Sequence, residues 1–265
     1  MPRRLKTSAL IPTLSSDEKI SVCLATYNGA LFLEQQIDSI LVQMQEGDEL
    51  LISDDGSTDE TKAILASYGS ALRVIGSERV GGVVPNFSRV LGQASKAMVV
   101  LADQDDVWLD GRLQCIRDVL ATAELVLTNA SVTDERLEPI GSTLFEQLAT
   151  SAGFWRNVTR SSFVGCCMGF RRSLLETALP LPSGTPWHDW LLGLLASIGG
   201  HVALVPKPLL LYRRHGANAS PTGQASGNGT WHMVKMRLLV VYAVAVCLVR
   251  CRLRQLRRAF AGRPA

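Results

Sequence analysis

Short apolar runs alternate with amphipathic stretches through the first half of the chain. Residues 20–25 (ISVCLA) form a continuous apolar run that stops at Thr26-Tyr27-Asn28-Gly29, the pattern of a buried strand ending in a turn. Leu31, Ile37, Ile40 and Leu41 then recur at near-helical spacing among Glu34, Gln35, Gln36 and Asp38, which predicts an amphipathic helix. A second unit follows: a strand over 49–53, the acidic turn Asp54-Asp55-Gly56, and a helix whose opening Ser57-Thr58-Asp59-Glu60 matches the capping box S-x-x-E. Further strands are expected over 72–75, 97–102 and 125–128, with helices over 86–96 and 109–122. Strands alternating with helices imply an α/β fold with a mostly parallel sheet covered on both faces.

The polar segment 129–162 shows no clear period. Order resumes with the small and apolar run 164–170, a short helix from Arg172, and an apolar helix after Trp187-His188-Asp189-Trp190. A last strand over 201–205 precedes LLLYRRHGAN. Residues 220–230, rich in Gly, Ser, Asn and Thr, have linker composition. The expected organisation is an extension over 1–19, one globular body over 20–219, the linker, and a basic amphipathic helix over 231–265.

With 47% hydrophobic and 19% charged residues, the chain is neither disordered nor fibrous. A net charge of +3 gives no argument for nucleic-acid binding, but its placement matters. Eight of the 27 cations and none of the 24 acids lie from Lys235 onward, so an acidic body carries a basic tail. Six cysteines without a C-x-x-C pair fit a reducing compartment, and the apolar stretch near the N-terminus is short and broken by Pro12, unlike a signal peptide. A cytoplasmic location is expected. In the tail, residues 238–249 are twelve uncharged, largely apolar positions, short of the ~20 needed for a span. They suit either a helix docked on the core or one lying at the inner face of the cell membrane, whose anionic surface would meet the arginines.

In a parallel α/β sheet, ligands bind beyond the carboxyl ends of the strands. Three of those ends are polar here: Thr26-Tyr27-Asn28, Asp54-Asp55 and Asp103-Gln104-Asp105-Asp106. Carboxylates converging on one rim repel one another unless donors or a cation neutralise them, and oxygen ligands of this kind suit Mg²⁺ or Mn²⁺. Neither G-x-G-x-x-G after the first strand nor G-x-x-x-x-G-K-[ST] occurs, which removes the phosphate-binding devices of dinucleotide-dependent dehydrogenases and P-loop enzymes.

The series ATYNG (25–29), SDDGSTD (53–59), ADQDDVW (102–108), HDW (188–190) and YRRHGAN (212–218) resembles family-2 glycosyltransferases of the GT-A fold, and within them the rhamnosyltransferase-like branch. The resemblance runs from about residue 20 to 218 and rests on five motifs in order. It implies inverting transfer of one sugar, with rhamnose the candidate, from a UDP- or dTDP-sugar to a hydroxyl of a glycan or lipid-linked acceptor in cell-surface polysaccharide synthesis. Thr26, Tyr27, Asn28, Asp54, Asp55 and Asp103 would bind the donor, with Tyr27 against the base. Asp105 of the D-x-D and His215 would hold Mg²⁺ or Mn²⁺, and Asp189 would be the catalytic base. Trp187, His188 and Trp190 would meet the acceptor. The chain lacks the Gln-x-x-Arg-Trp motif of many family-2 enzymes, which argues for single addition over processive polymerisation. Two other readings share the same carboxylates. A sugar-nucleotide pyrophosphorylase needs a basic, glycine-rich loop after the first strand, which Thr26-Tyr27-Asn28-Gly29 does not supply; a nucleotide-sugar-binding module without catalysis needs no base at Asp189.

Overall fold

The structure, a computed structural model, describes residues 19–216 and 230–261. The expected N-terminal extension, the linker and Ala217-Asn218 lie outside the described residues, apart from Lys19 and Thr230.

Eight strands form one sheet: β1 (Ile20–Thr26), β2 (Glu49–Asp54), β3 (Arg73–Gly76), β4 (Met98–Asp103), β5 (Val107–Trp108), β6 (Leu125–Thr133), β7 (Met168–Arg171) and β8 (Val202–Arg213). Among the described residues nine α-helices flank it: α1 (Leu33–Leu41), α2 (Thr61–Ser67), α3 (Val83–Leu91), α4 (Arg112–Leu120), α5 (Leu144–Leu148), α6 (Phe154–Thr159), α7 (Ser173–Ala178), α8 (His188–Gly199) and α9 (Thr230–Ala261). The strand order is β3-β2-β1-β4-β7-β6-β8-β5. The apolar runs of β1, β2 and β4 are buried along almost their whole length, as expected for strands covered on both faces.

The sheet is more mixed than the strand-helix rhythm predicts. β3, β2, β1 and β4 are parallel, as are β6 and β8, but β7 lies antiparallel between β4 and β6 and β5 runs antiparallel to β8. Gly169 permits the insertion of β7, since a Cβ there would sit 2.8 Å from Ile116. The register pairs Thr26 with Asp54 and Ala25 with Asp103, so three strand ends open on one rim.

β8 is one long strand where the sequence suggests a short one. Pro206 and Pro208 cannot donate to a ladder, and the register against β6 shifts on either side of Asn129, whose side chain donates to the Pro206 carbonyl at 2.9 Å. The strand then resumes, pairs Leu211 with Val107, and delivers Arg213 to the D-x-D turn. One local expectation fails. Ser57 does not cap α2, which starts at Thr61 without a side-chain cap; the Ser57 hydroxyl donates to Asp54 and accepts the Asn28 N–H instead. A capping box does form at Thr143 and Glu146, inside the segment that showed no period.

α8 is buried nearly all round, and a Cβ on Gly193 would meet the Phe163 ring at 2.3 Å, so only glycine lets the two approach so closely. α9 packs against the body. Val240, Ala243, Val244 and Cys247 are buried, and the helix packs on α6, α7 and α8.

Candidate active site

The rim is built by loops that lock one another. Asn28, at φ 48°, accepts the Thr58 N–H on its side-chain oxygen at 2.9 Å, while the Gly29 and Ala30 N–H groups donate to Thr61 and Asp59. Gln104 ties β4 to β1: its Oε1 accepts from the Thr26 hydroxyl and the Tyr27 N–H, each at 2.7 Å, and its Nε2 donates to the Tyr27 carbonyl. Asn86 of α3 donates to the Thr26 carbonyl at 3.1 Å. Thr26 and Asn28 are therefore members of the frame. Tyr27, 43% exposed, has an accessible ring, with the Arg79 guanidinium 5.9 Å from its centroid.

Asp54 is corrected as a donor ligand. It is fully buried and its carboxylate accepts the Ser57 N–H and hydroxyl, the work of a turn residue. Asp55 accepts three backbone N–H groups, from Val80, Gly81 and Gly82, and so shapes the loop before α3. Burial opposes its charge, but the Gly81, Gly82 and Val80 donors and the nearby Arg79 outweigh that and hold its pKa below the usual carboxylate value. Of a carboxylate's ~four lone-pair sites this uses three.

The D-x-D turn divides its acids between opposite environments. Asp105 Oδ2 lies 2.8 Å from His215 Nε2, with the Phe32 ring against the imidazole. Asp106 points inward: one oxygen accepts the Arg213 N–H at 3.2 Å, and the Cys166 thiol lies beside the carboxyl group. Burial, Asp105 and Asp103 all push its pKa up. Asp103 is raised to about 8, by burial first and then by Asp105 and Asp189. Arg213 braces the turn, donating from Nε to the Asp105 carbonyl at 2.8 Å and from Nη2 to Gln35 at 2.6 Å, its guanidinium 4.4 Å from the Phe32 centroid. An oxygen donor and an imidazole this close can both reach one cation; the carboxylate oxygen suits Mg²⁺ or Mn²⁺, whereas the imidazole is a softer ligand that Mg²⁺ takes less readily. Among the described residues, Asp103, Asp106 and Cys166 also bring a ligand atom each within 4.8 Å of one another, a group the sequence did not suggest.

Asp189 sits in the first turn of α8. Its Oδ2 accepts the Gly165 N–H at 2.9 Å and its Oδ1 the Trp190 N–H at 2.7 Å. Burial raises its pKa to about 6 against these donors. The Gly165 bond fixes the carboxylate from the segment before β7, beside the D-x-D. His188 and Trp190 are corrected as acceptor ligands. Trp190 is buried and spends its indole N–H on the Asn157 carbonyl at 2.8 Å. His188, 3% exposed, stacks on Phe87 at 3.9 Å, and burial drives its pKa down to about 3, so it is neutral. Trp187 is half-buried and packs against the core.

Gln104, Asn86, Arg213 and Gly165 were not assigned roles from sequence. Arg213 lies within a quoted motif, but Asn86 and Gly165 have no local signal, because their partners are 60 and 24 residues away.

A mixed, helix-flanked sheet with a polar turn after β1 and acids at the ends of β2 and β4 is the frame of a nucleotide-sugar transferase, and similarity to known proteins agrees. Residues 21–179 match the family described as Glycosyl transferase family 2, and the chain belongs to that family. An uncharacterised glycosyltransferase of Nostoc sp. is 28% identical over 221 residues, 76% of this chain, and the chain spans 66% of that relative's length. The dTDP-rhamnosyl transferase RfbG of Shigella flexneri is 28% identical over 221 residues, covering 74% of this chain and 75% of its own. The UDP-Glc:alpha-D-GlcNAc-diphosphoundecaprenol beta-1,3-glucosyltransferase WfgD of Escherichia coli is 28% identical over 99 residues, 37% of this chain and 39% of its own. Among solved structures, S. aureus TarS 1-349 with UDP-GlcNAc superposes with a TM-score of 0.63 at 18% identity, over 85% of this chain and 66% of its own. The mannosyltransferase PcManGT of Pyrobaculum calidifontis, solved with GDP-Man and Mn2+, gives 0.55 at 19% identity, over 92% and 76%. The fold is that of the GT-A glycosyltransferases.

Proposed function

We propose that the protein is an inverting glycosyltransferase that moves one sugar from a nucleoside-diphosphate donor to a hydroxyl of a glycan or lipid-linked acceptor in surface polysaccharide synthesis. The observation that carries this reading is the meeting of Asp189 with the D-x-D, 86 positions away from Asp103 in the chain: the Asp189 carboxylate accepts the Gly165 N–H at 2.9 Å, and the next residue, Cys166, has its thiol within 4.8 Å of carboxylate oxygens of Asp103 and Asp106. A base beside a diphosphate site is what a single displacement requires. The acceptor oxygen attacks the anomeric carbon as the bond from that carbon to the diphosphate breaks, and its proton passes to Asp189.

Asp105 and His215 would hold Mg²⁺ or Mn²⁺, which when bound would neutralise the diphosphate as it leaves. Tyr27 would offer its exposed ring to the nucleobase, and Asp55 would orient the loop beside it through the Val80, Gly81 and Gly82 N–H groups. Asp103 keeps its place beside the diphosphate, and Trp187 is the aromatic at the acceptor end. The likeness to RfbG supports a deoxythymidine-linked rhamnose donor, and that to WfgD supports an acceptor built on a lipid diphosphate. Family membership sets the pyrophosphorylase reading aside.

The test is titration of UDP- and dTDP-sugars by calorimetry with Mn²⁺, followed by assay of nucleoside diphosphate release with lipid-linked acceptors. Failure of every nucleotide sugar to bind would sink the proposal; binding without turnover on any acceptor would leave a binding module in its place.

A further inference from the structure

α9 has one face that the body covers and one that it does not. On the covered side Val240, Ala243, Val244 and Cys247 are buried, Arg250 donates to the Pro180 carbonyl at 2.7 Å, and Arg254 donates to the Glu176 and Leu179 carbonyls at 2.7 and 2.8 Å. With 3.6 residues per turn, the opposite side carries Trp231, Leu238, Tyr242, Ala245, Val249 and Leu256. Trp231 is 86% exposed, Leu238 66%, Tyr242 61% and Val249 59%. On α6, which packs against α9, Trp155 is 78% exposed. A row of large apolar groups in water marks a contact surface.

The charge says what it contacts. Within its 32 residues α9 has seven cations and no acid. Arg250 and Arg254 are bound to α7 and the turn after it, while Lys235, Arg237, Arg252, Arg257 and Arg258 are arrayed around the rest of the helix. An apolar stripe flanked by Trp and Tyr and surrounded by unbalanced positive charge is the chemistry of a helix lying in the headgroup region of an anionic bilayer. A second copy is a poorer partner, because Arg252 lies in the stripe and would meet its like with no acid to pair it. By length and composition Trp231–Arg258 would also cross a membrane, further than the twelve uncharged positions suggest, but crossing would strip its buried face from α7 and α8.

We propose that the outward face of α9, with Trp155 of α6, docks the protein on an anionic membrane surface, the helix lying flat while its inner face keeps hold of the body. This does not rest on the catalytic reading. The test is flotation of the full chain with vesicles of phosphatidylcholine containing phosphatidylglycerol and with phosphatidylcholine alone. Binding is expected on the anionic vesicles and is expected to fall with salt. The double variants Leu238→Glu/Val249→Glu and Arg252→Glu/Arg257→Glu alter exposed positions, so each should melt like the parent yet bind at least ~tenfold more weakly. Equal binding to both vesicle types, or undiminished binding by both variants, overturns the proposal, and the comparison of vesicles needs no variant to fold. A concentration-dependent dimer abolished by Leu238→Glu/Val249→Glu, with no vesicle binding, would assign the face to a second copy. Protein that stays with the vesicles through an alkaline carbonate wash would mean a span.

Discussion

His215 Nε2 lies 2.8 Å from Asp105 Oδ2, across 110 residues of chain, because β8 continues past its prolines far enough to carry the Arg213-Arg214-His215 segment over the D-x-D turn. Asp106, one residue on from Asp105, instead turns into the core. Of the two neighbouring carboxylates, one thus meets His215 and the other the protein interior.

That division predicts which acid serves a metal. Asp105→Asn and His215→Ala should each weaken Mn²⁺-dependent donor binding by tenfold or more, since each removes one of few ligands. Asp106→Asn should leave that dependence in place and act on stability. Calorimetry with Mn²⁺ and with EDTA separates these outcomes; equal effects of the Asp105 and Asp106 variants would mean the ligand was misassigned.

Asp189→Asn keeps the shape of the side chain and an oxygen for the Gly165 N–H, losing only the bond from the Trp190 N–H within its own helix turn. Donor binding and melting temperature should stay near the parent's, while transfer should fall by ~10²–10⁴, the usual loss on removing a general base. A near-parental rate by product chromatography would place the base elsewhere.

The pH profile gives an independent reading of the same residue. A carboxyl raised to about 6 by burial is protonated below that pH and cannot accept a proton there. With metal and donor saturating, the rate should rise about tenfold per pH unit below 6 and level off above it. For stability the sign is opposite: the raised pKa favours the folded state at acid pH, and that contribution is lost as pH rises through 6. In Asp189→Asn the limb should vanish from the residual rate. His188, pushed down to about 3, stays neutral across this range and adds no limb of its own.

Arg112 is fully buried, donates to the Thr128 hydroxyl and the Cys166 carbonyl, and stacks 4.8 Å from the Trp108 ring centroid. Arg112→Lys loses the planar fork that serves both acceptors, and should destabilise the fold by about 2–3 kcal/mol. Urea denaturation measures this, and an unchanged midpoint would show that the fork is dispensable.

β1, β2 and β4 were legible in the sequence because a strand buried on both faces must be apolar along its length, and each run is broken by the polar turn that ends it. The acids of the rim were legible for the same reason: Asp54, Asp55, Asp103 and Asp105 follow directly on those runs. What each acid does was not. Asp54 and Ser57 close on one another, Asp55 holds a loop 25 residues away, and His188 and Trp190 turn inward beside an Asp189 whose orientation depends on Gly165. Local sequence sets period and propensity, and those decide which segments become strands and helices. The antiparallel place of β7, the reach of β8 and the one-sided packing of α9 depend on contacts between distant segments, where a missing Cβ at Gly169 or a proline without an N–H decides which surfaces can meet. Only the folded chain brings those surfaces together.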